Sequence, residues 1–218
     1  MKKSDKKLKY FRIFACVLTV LLSLSVGFTG CANSKQEINM TEDELPYGAT
    51  MRSDKNSFSV PVTYDRRFVS EEQIAVVADY FAAIQNQDQE LYLASALPIY
   101  TDYQIHKVYS YQDVGELVQG LHEGIAGQTG EDFEFNMILV NSFSQDTTFG
   151  GLEAILDLLD HVDDPDAESG EKFSKRMQGA WALELEWNLL YDQQSSSGTV
   201  ESQWVYLFQV DDQYYCCM

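Results

Sequence analysis

Apolar positions along this chain recur with two different periods. Ile74, Val77, Phe81 and Ile84 fall at i, i+3, i+7 and i+10, a single stripe on a 3.6-residue helix. The start of that helix is marked twice. Ser70 with Gln73 three residues later makes a capping box, and Val69 with Ile74 makes a hydrophobic staple. Asp79 falls on the opposite side, where solvation is expected. "NQDQ" (Asn86–Gln89) breaks the helix, and "ELYLASAL" resumes it until Pro98. A second helix is expected from Asp113 to Ala126, with Val114, Leu117, Val118, Leu121 and Ile125 sharing a face and Gly127 as its stop. A third, "LEAILDLLDHV", aligns Leu152, Ile155, Leu156 and Leu159.

The second period is two, the signature of half-buried strands. In "FEFNMILVNSF", Phe133, Phe135, Met137, Leu139 and Phe143 are expected on one face. "WALELEWNL" alternates Trp181, Leu183, Leu185, Trp187 and Leu189 against Ala182, Glu184, Glu186 and Asn188. "VESQWVYLFQV" sets Val200, Trp204, Tyr206, Phe208 and Val210 together. "QSSSG" reads as the hairpin loop between the last two, and "DDQ" as the turn into a final "YYCC" strand. Helices followed by an antiparallel sheet with one apolar face predict an α+β layer fold.

Ahead of these elements the pattern changes. Six Lys/Arg precede the 14-residue apolar run Ile13–Val26, too short for a credible membrane span and suited to a signal-peptide h-region. The run ends in "FTGC" (Phe28–Cys31), which resembles the lipobox of bacterial lipoproteins, with Phe28 where Leu is usual. That resemblance implies a diacylglycerol thioether on Cys31, whose two palmitate-type chains suffice for stable anchoring at the outer face of the bacterial cell membrane. An uncleaved signal anchor, or ordinary cleavage near Ser25–Gly27, would export the same domain. The expected organisation is a signal peptide (1–30), a tether and adapter (31–67) and one domain (68–218). In the adapter, Tyr47, Phe58, Val60, Val62 and Tyr64 suit a short strand or loop, which Pro61 would keep at an edge.

Charge narrows the partners. Before Cys31 the balance is +5; from Cys31 onward nine Lys/Arg face 33 Asp/Glu, or −24, with no Lys or Arg between Lys107 and Lys172. Such a surface repels a phosphate backbone and argues against nucleic acid as a partner. Solubility accounts for the acidity; a cation or a basic partner is the alternative. Hydrophobic residues form 45% of the chain, enough for a packed core. Cys16 goes with the signal segment. Cys216 and Cys217 are adjacent, so free thiols, an intermolecular bond and a distorted vicinal disulfide all stay open.

Two segments carry a family resemblance. "VVADYFAAIQNQDQELYLASAL" (Val76–Leu97) resembles the opening helix pair of nuclear transport factor two-like domains, which have the cystatin-like fold. "WVYLFQVDDQYYCC" (Trp204–Cys217) resembles their closing hairpin, with Asp212 where glycine is common and Tyr214 where tryptophan is common. "LPYGATM" and "VTYDRRFVSEEQ" are similar to exported lipoproteins of Gram-positive anaerobes. The resemblance implies N-terminal helices packed on a strongly curved antiparallel sheet, a cone with a pocket. Its members include isomerases, dehydratases and hydrolases as well as non-catalytic binding modules, so the fold does not decide the activity.

Candidate chemistry is sparse. Asn141 and Ser202 are the only polar residues in register with the apolar strand faces, and neither is a general base. Glu184 and Glu186 fall on the opposite register, exposed or at an oligomer face. Tyr80, Tyr100 and Tyr103 are candidates to reach a pocket, against the plainer reading of ordinary rim tyrosines. His106, His122 and His161 lack metal-ligand spacing, and His122 reads as a boundary residue of its helix. In "DDPDAESGE", Asp164, Asp166 and Glu168 alternate as a weak calcium candidate, against the plainer reading of a solvated acidic loop. No cofactor motif is found. The reading is a non-catalytic module for a small apolar ligand or a protein, with an enzyme using the cone pocket as the alternative. A homodimer through the sheet is the third option, opposed by its two glutamates.

Overall fold

The computed structural model describes residues 41–54, 56–130, 132–163 and 172–218. The expected signal segment, Cys31 and the acidic loop with Asp164, Asp166 and Glu168 lie outside these residues. Helix α1 (Glu71–Asn86) starts with both reciprocal bonds of its capping box, Gln73 N to Ser70 Oγ at 3.2 Å and Ser70 N to Gln73 Oε1 at 2.9 Å. Gln87 ends it in the left-handed region (φ 53°), and Asp88 then caps α2 (Gln89–Ser95) by accepting from Leu91 N at 3.0 Å. Pro98 does end that helix, but it also opens α3 (Pro98–Tyr103) from its first position, where an absent N–H costs nothing. A π-helical turn, Gln104–Tyr109, extends α3 without any periodic signal in the sequence. Helix α4 (Val114–Thr129) runs past Gly127 and stops at Gly130, whose φ of 106° suits glycine.

Six strands form one open sheet in chain order: β1 (Met51–Asp54), β2 (Val62–Asp65), β3 (Glu134–Ser144), β4 (Gly179–Tyr191), β5 (Ser196–Val210) and β6 (Gln213–Cys217). All neighbours are antiparallel except β2 and β3, which are parallel and joined by the crossover carrying α1 to α4. The fold is therefore mixed α+β. Pro61 does not hold β2 at an edge. It precedes the strand, and its carbonyl accepts from Ile138 N at 2.8 Å, so β2 lies between β1 and β3.

Bulges rewrite the strand faces. In β3 the register shifts between Phe135 and Met137 and again between Val140 and Ser142, leaving Asn136 and Asn141 as the extra residues. Each extra residue reverses the alternation. Phe133, Phe135, Ile138 and Val140 are consequently buried, whereas Met137 and Leu139, expected with them, are only half-buried. In β5 a shift at Glu201–Ser202, with Ser202 at φ 53°, separates Val200 from Trp204. The hairpin loop also moves: β4 and β5 turn at 192–195, where Asp192, Gln193 and Gln194 have positive φ, and "QSSSG" is mostly strand. Asp211 and Asp212 make the two-residue turn into β6 with φ of 51° and 62°, the conformation that glycine usually supplies.

The sheet buries two faces, not one. On the first, Trp181, Leu183, Leu185, Trp187, Leu189, Val205, Leu207 and Cys216 pack against Ile74, Val77, Phe81, Leu117 and Val118. On the second, Ala180, Ala182, Phe208 and Cys217 pack under Leu152, Leu156 and Leu159 of α5 (Gly150–Asp163) and Phe173 of α6 (Phe173–Arg176). Trp204, Tyr206 and Val210 join the second core, apart from Val200, which joins the first. Cys216 and Cys217 therefore point into different cores as buried, unbonded thiols. Asp79 is half-buried rather than solvated and accepts a hydrogen bond from Ser59.

Candidate functional site

Helix α4 stands between two open clefts. The first is a groove of about 490 Å³ between the C-terminal half of α4 and the hairpin of β4 and β5. Gly124, Ile125, Gln128 and Thr129 form the helix wall; Trp187, Leu189 and Tyr191 come from β4, and Gly198, Thr199, Val200 and Gln203 from β5. Its floor exists because alternate residues of β4 face α4, and because the β5 bulge turns Val200 to that side. Trp187 is 6% exposed and Leu189 2%, so both are wedged in the core and show only an edge to the groove.

Among the described residues, every side chain lining this groove is uncharged. Asn188 Nδ2, just outside it, donates to Thr199 Oγ1 at 3.3 Å and to Gly198 O at 3.2 Å, which ties the β5 wall to β4. Thr129 Oγ1 donates to Ile125 O at 3.1 Å and Tyr191 Oη to Ser197 O at 3.3 Å. Gln203 Nε2 donates to Glu201 O at 3.2 Å. Gln128 makes no side-chain hydrogen bond to another described residue and keeps a full amide for a ligand. Such a lining exchanges hydrogen bonds and apolar contacts. It contains no carboxylate or imidazole that could move a proton near neutral pH.

The second cleft, about 660 Å³, lies on the other side of α4 and is lined by Gln85, Gln87, Gln119, His122, Glu123, Ala126 and Gly127. His122 is buried, with Nδ1 3.1 Å from Ile84 O and its ring 4.8 Å from that of Phe133. A carbonyl can only accept, so Nδ1 carries the proton and Nε2 of the neutral ring is the acceptor. Glu123 does not pair with it; its Oε1 accepts from Gln119 Nε2 at 2.7 Å instead. Gln85 is likewise committed, its Oε1 accepting from Phe135 N at 2.7 Å. The His122 ring in this cleft is therefore oriented by a backbone carbonyl, and the Glu123 carboxylate that also lines the cleft is hydrogen-bonded to Gln119 instead of to the ring.

The other residues singled out in sequence are scattered. Tyr80 is fully enclosed, its ring 5.3 Å from that of Tyr92, and burial pushes both phenols well above their usual range. Tyr92 Oη donates to the buried Gln104 at 3.4 Å, so this interior is filled by its own side chains. Tyr100 is half-buried and donates to Met218 O at 3.2 Å, with its phenol pushed up to about 12 by burial, and Tyr103 lies beside it at 6.2 Å. His106 pairs with Asp102 at the surface, and His161 is exposed near the end of α5. Glu184 and Glu186 are half-buried. Glu184 accepts from Ser142 Oγ at 2.9 Å, just after the Asn141 bulge of β3, and from Ser202 Oγ at 2.7 Å, within the bulge of β5. Asn141 is exposed in its bulge. Among the described residues no three His, Cys, Asp or Glu side chains converge as metal ligands, and no helix is long and apolar enough to cross a membrane.

Sequence reasoning missed the groove because its walls are 60 residues apart and its aromatic floor reads as core. One signal was available. α4 has glycine at 115, 120, 124 and 127, an unusual load for a helix. A Cβ on Gly120 would meet Tyr111 Oη at 2.5 Å, so that glycine serves packing, whereas one on Gly124 meets nothing within 4 Å. Comparison with protein-family models, curated proteins and solved structures finds no match to this chain.

Proposed function

We propose that this chain is an exported lipoprotein, anchored through diacylglycerol on Cys31, whose folded domain acts as a non-catalytic binding module at the outer face of a bacterial membrane. In this reading the domain is a nuclear transport factor two-like cone, and the groove beside α4 is its working mouth. The observation that carries the proposal is the pairing of an open groove with a lining that, among the described residues, has no carboxylate or imidazole. The Tyr80–Tyr92 interior is filled by its own side chains, which counts against both an active site and a small ligand inside a cone and leaves surface clefts as the places where this domain could bind. An acidic surface of −24 after Cys31 favours neutral or cationic partners over nucleic acid.

A second reading, an enzyme working in the His122 cleft, rests on the fixed tautomer of that ring. Its weakness is the absence of an orienting carboxylate, since Glu123 is bound to Gln119.

The test has two parts. Cys31→Ser should move the protein out of the membrane fraction, and retention of the variant in membranes would refute lipid anchoring. Native mass spectrometry of the chain purified gently from its own host should then retain a small molecule or a protein. A preparation that carries nothing, and binds nothing from host extract, would refute the binding reading.

A further inference from the structure

Resting on the binding reading, we propose that the groove beside α4 is a saccharide site, taking a neutral sugar or short neutral glycan. Four observations converge on that class of ligand. The eleven described residues that line the groove include no charged side chain, in a chain that carries 33 Asp/Glu and nine Lys/Arg from Cys31 onward. A phosphate or carboxylate ligand would find no cation there and would be repelled on approach, and a cationic ligand would find no carboxylate. Charge therefore selects a neutral molecule.

The polar groups present are amides and hydroxyls: Gln128, Gln203, Thr129 and Thr199, with the Tyr191 phenol at the rim. Gln128 can both donate and accept, Thr199 keeps its proton to donate, and Thr129 and Tyr191, whose protons go to Ile125 O and Ser197 O, offer acceptor lone pairs to a sugar hydroxyl. A purely aliphatic ligand would strip water from these groups and give nothing back, which is costly. Ile125 and Val200, with the edges that Trp187 and Leu189 show to the groove, offer apolar contact to the C–H groups that a pyranose ring presents between its hydroxyls. A volume of about 490 Å³ lies within the range of small-ligand sites and suits one or two sugar rings.

A peptide is the competing macromolecule, and the geometry disfavours it. Extended peptides gain affinity by adding to a sheet edge. Trp187 and Leu189 stand on β4, which is paired on both sides, by β3 and by β5. Strand addition would use the part of β5 before Tyr206, which β6 does not pair, in the plane of the sheet and off the floor of the groove.

Gly124 supplies a clean perturbation. It lines the groove, and a Cβ there meets no heavy atom within 4 Å, so Gly124→Leu fills the groove while raising helix propensity in α4. The full chain, purified in a non-glycosidic detergent, would be titrated by calorimetry with neutral oligosaccharides of glucose, mannose, xylose and N-acetylglucosamine. Trp187 is the only tryptophan lining the groove, so fluorescence is a second readout. The expected result is saturable binding of at least one series, no binding of heparin or polygalacturonate, and a loss of about tenfold or more in both Gly124→Leu and Gln128→Ala. Urea melts must show both variants folded. Binding of none of the four series, binding indifferent to Gly124→Leu, or binding of a peptide in their place would overturn the saccharide assignment. A different small molecule retained in native mass spectrometry would overturn it while leaving the binding reading intact. An empty protein in both experiments would remove both.

Discussion

Asp65 and Arg67 fasten the segment before β1 to the rest of the fold, and breaking this pair should be costly. Asp65 is fully buried. Its carboxylate accepts from Gly48 N (3.0 Å), Thr50 Oγ1 (2.9 Å), Arg67 N (3.2 Å), Arg67 Nε (3.0 Å) and Arg67 Nη2 (2.6 Å). The same guanidinium donates to Glu42 O, to Leu45 O (2.9 Å) and to Pro46 O (2.9 Å), and lies 5.0 Å from the centre of the Phe68 ring. Arg67→Met keeps the apolar stem but removes the charge and its donors. A buried carboxylate then remains without its cation, a loss of about 3–5 kcal/mol. Thr50→Ala removes one neutral donor and should cost about 1 kcal/mol.

The pH dependence has a definite sign. The Arg67 guanidinium, with Thr50 and two backbone N–H groups, holds the Asp65 carboxyl well below the usual carboxylate range. A lowered folded pKa stabilises the fold above the unfolded value of about 3.9 and loses that stabilisation as pH falls toward the folded value. Urea unfolding followed by tryptophan fluorescence at neutral pH and near pH 3 would measure both effects. The gap between wild type and Arg67→Met should be wide at neutral pH and narrow in acid. A gap below about 1 kcal/mol at neutral pH, or one of equal size at both, would refute the reasoning.

Ser70→Ala should cost about 1 kcal/mol in the same melts, since it deletes one half of a capping box that is fully formed; a neutral result would mean that packing alone holds the start of α1. Burial raises the phenols of Tyr80 and Tyr92, so the unfolded chain ionises first and stability should fall as pH rises beyond about 10. Tyr80→Phe and Tyr92→Phe should flatten that alkaline limb. Cys216 and Cys217 are buried, with both thiols pushed up by desolvation, and should resist alkylation in the native protein yet react together in denaturant. Prompt labelling of either one at neutral pH would place β6 outside the core.

Local rules carried much of this structure. Ser70 with Gln73, the break at Gln87–Asp88 and the stripe Ile74–Val77–Phe81–Ile84 specify α1 and α2 from neighbours alone, because caps and helical periodicity are short-range properties. The β4 alternation from Trp181 to Leu189 is legible for the same reason. What the sequence could not place are effects set across long separations. Asn136, Asn141 and Ser202 become bulges through mismatch with a partner strand, and each bulge exchanges the faces of everything beyond it. Trp204 and Phe208 read as part of one apolar face; only α5 folding across the far side of the sheet makes a second core for them. Pro61 suggested an edge because the later strand that pairs beyond it, β3, lies more than 70 residues away. The groove depends most on tertiary structure. Gly124 and Trp187 are unremarkable in their own elements, and a binding surface exists only because α4 stops short of filling the space above β4.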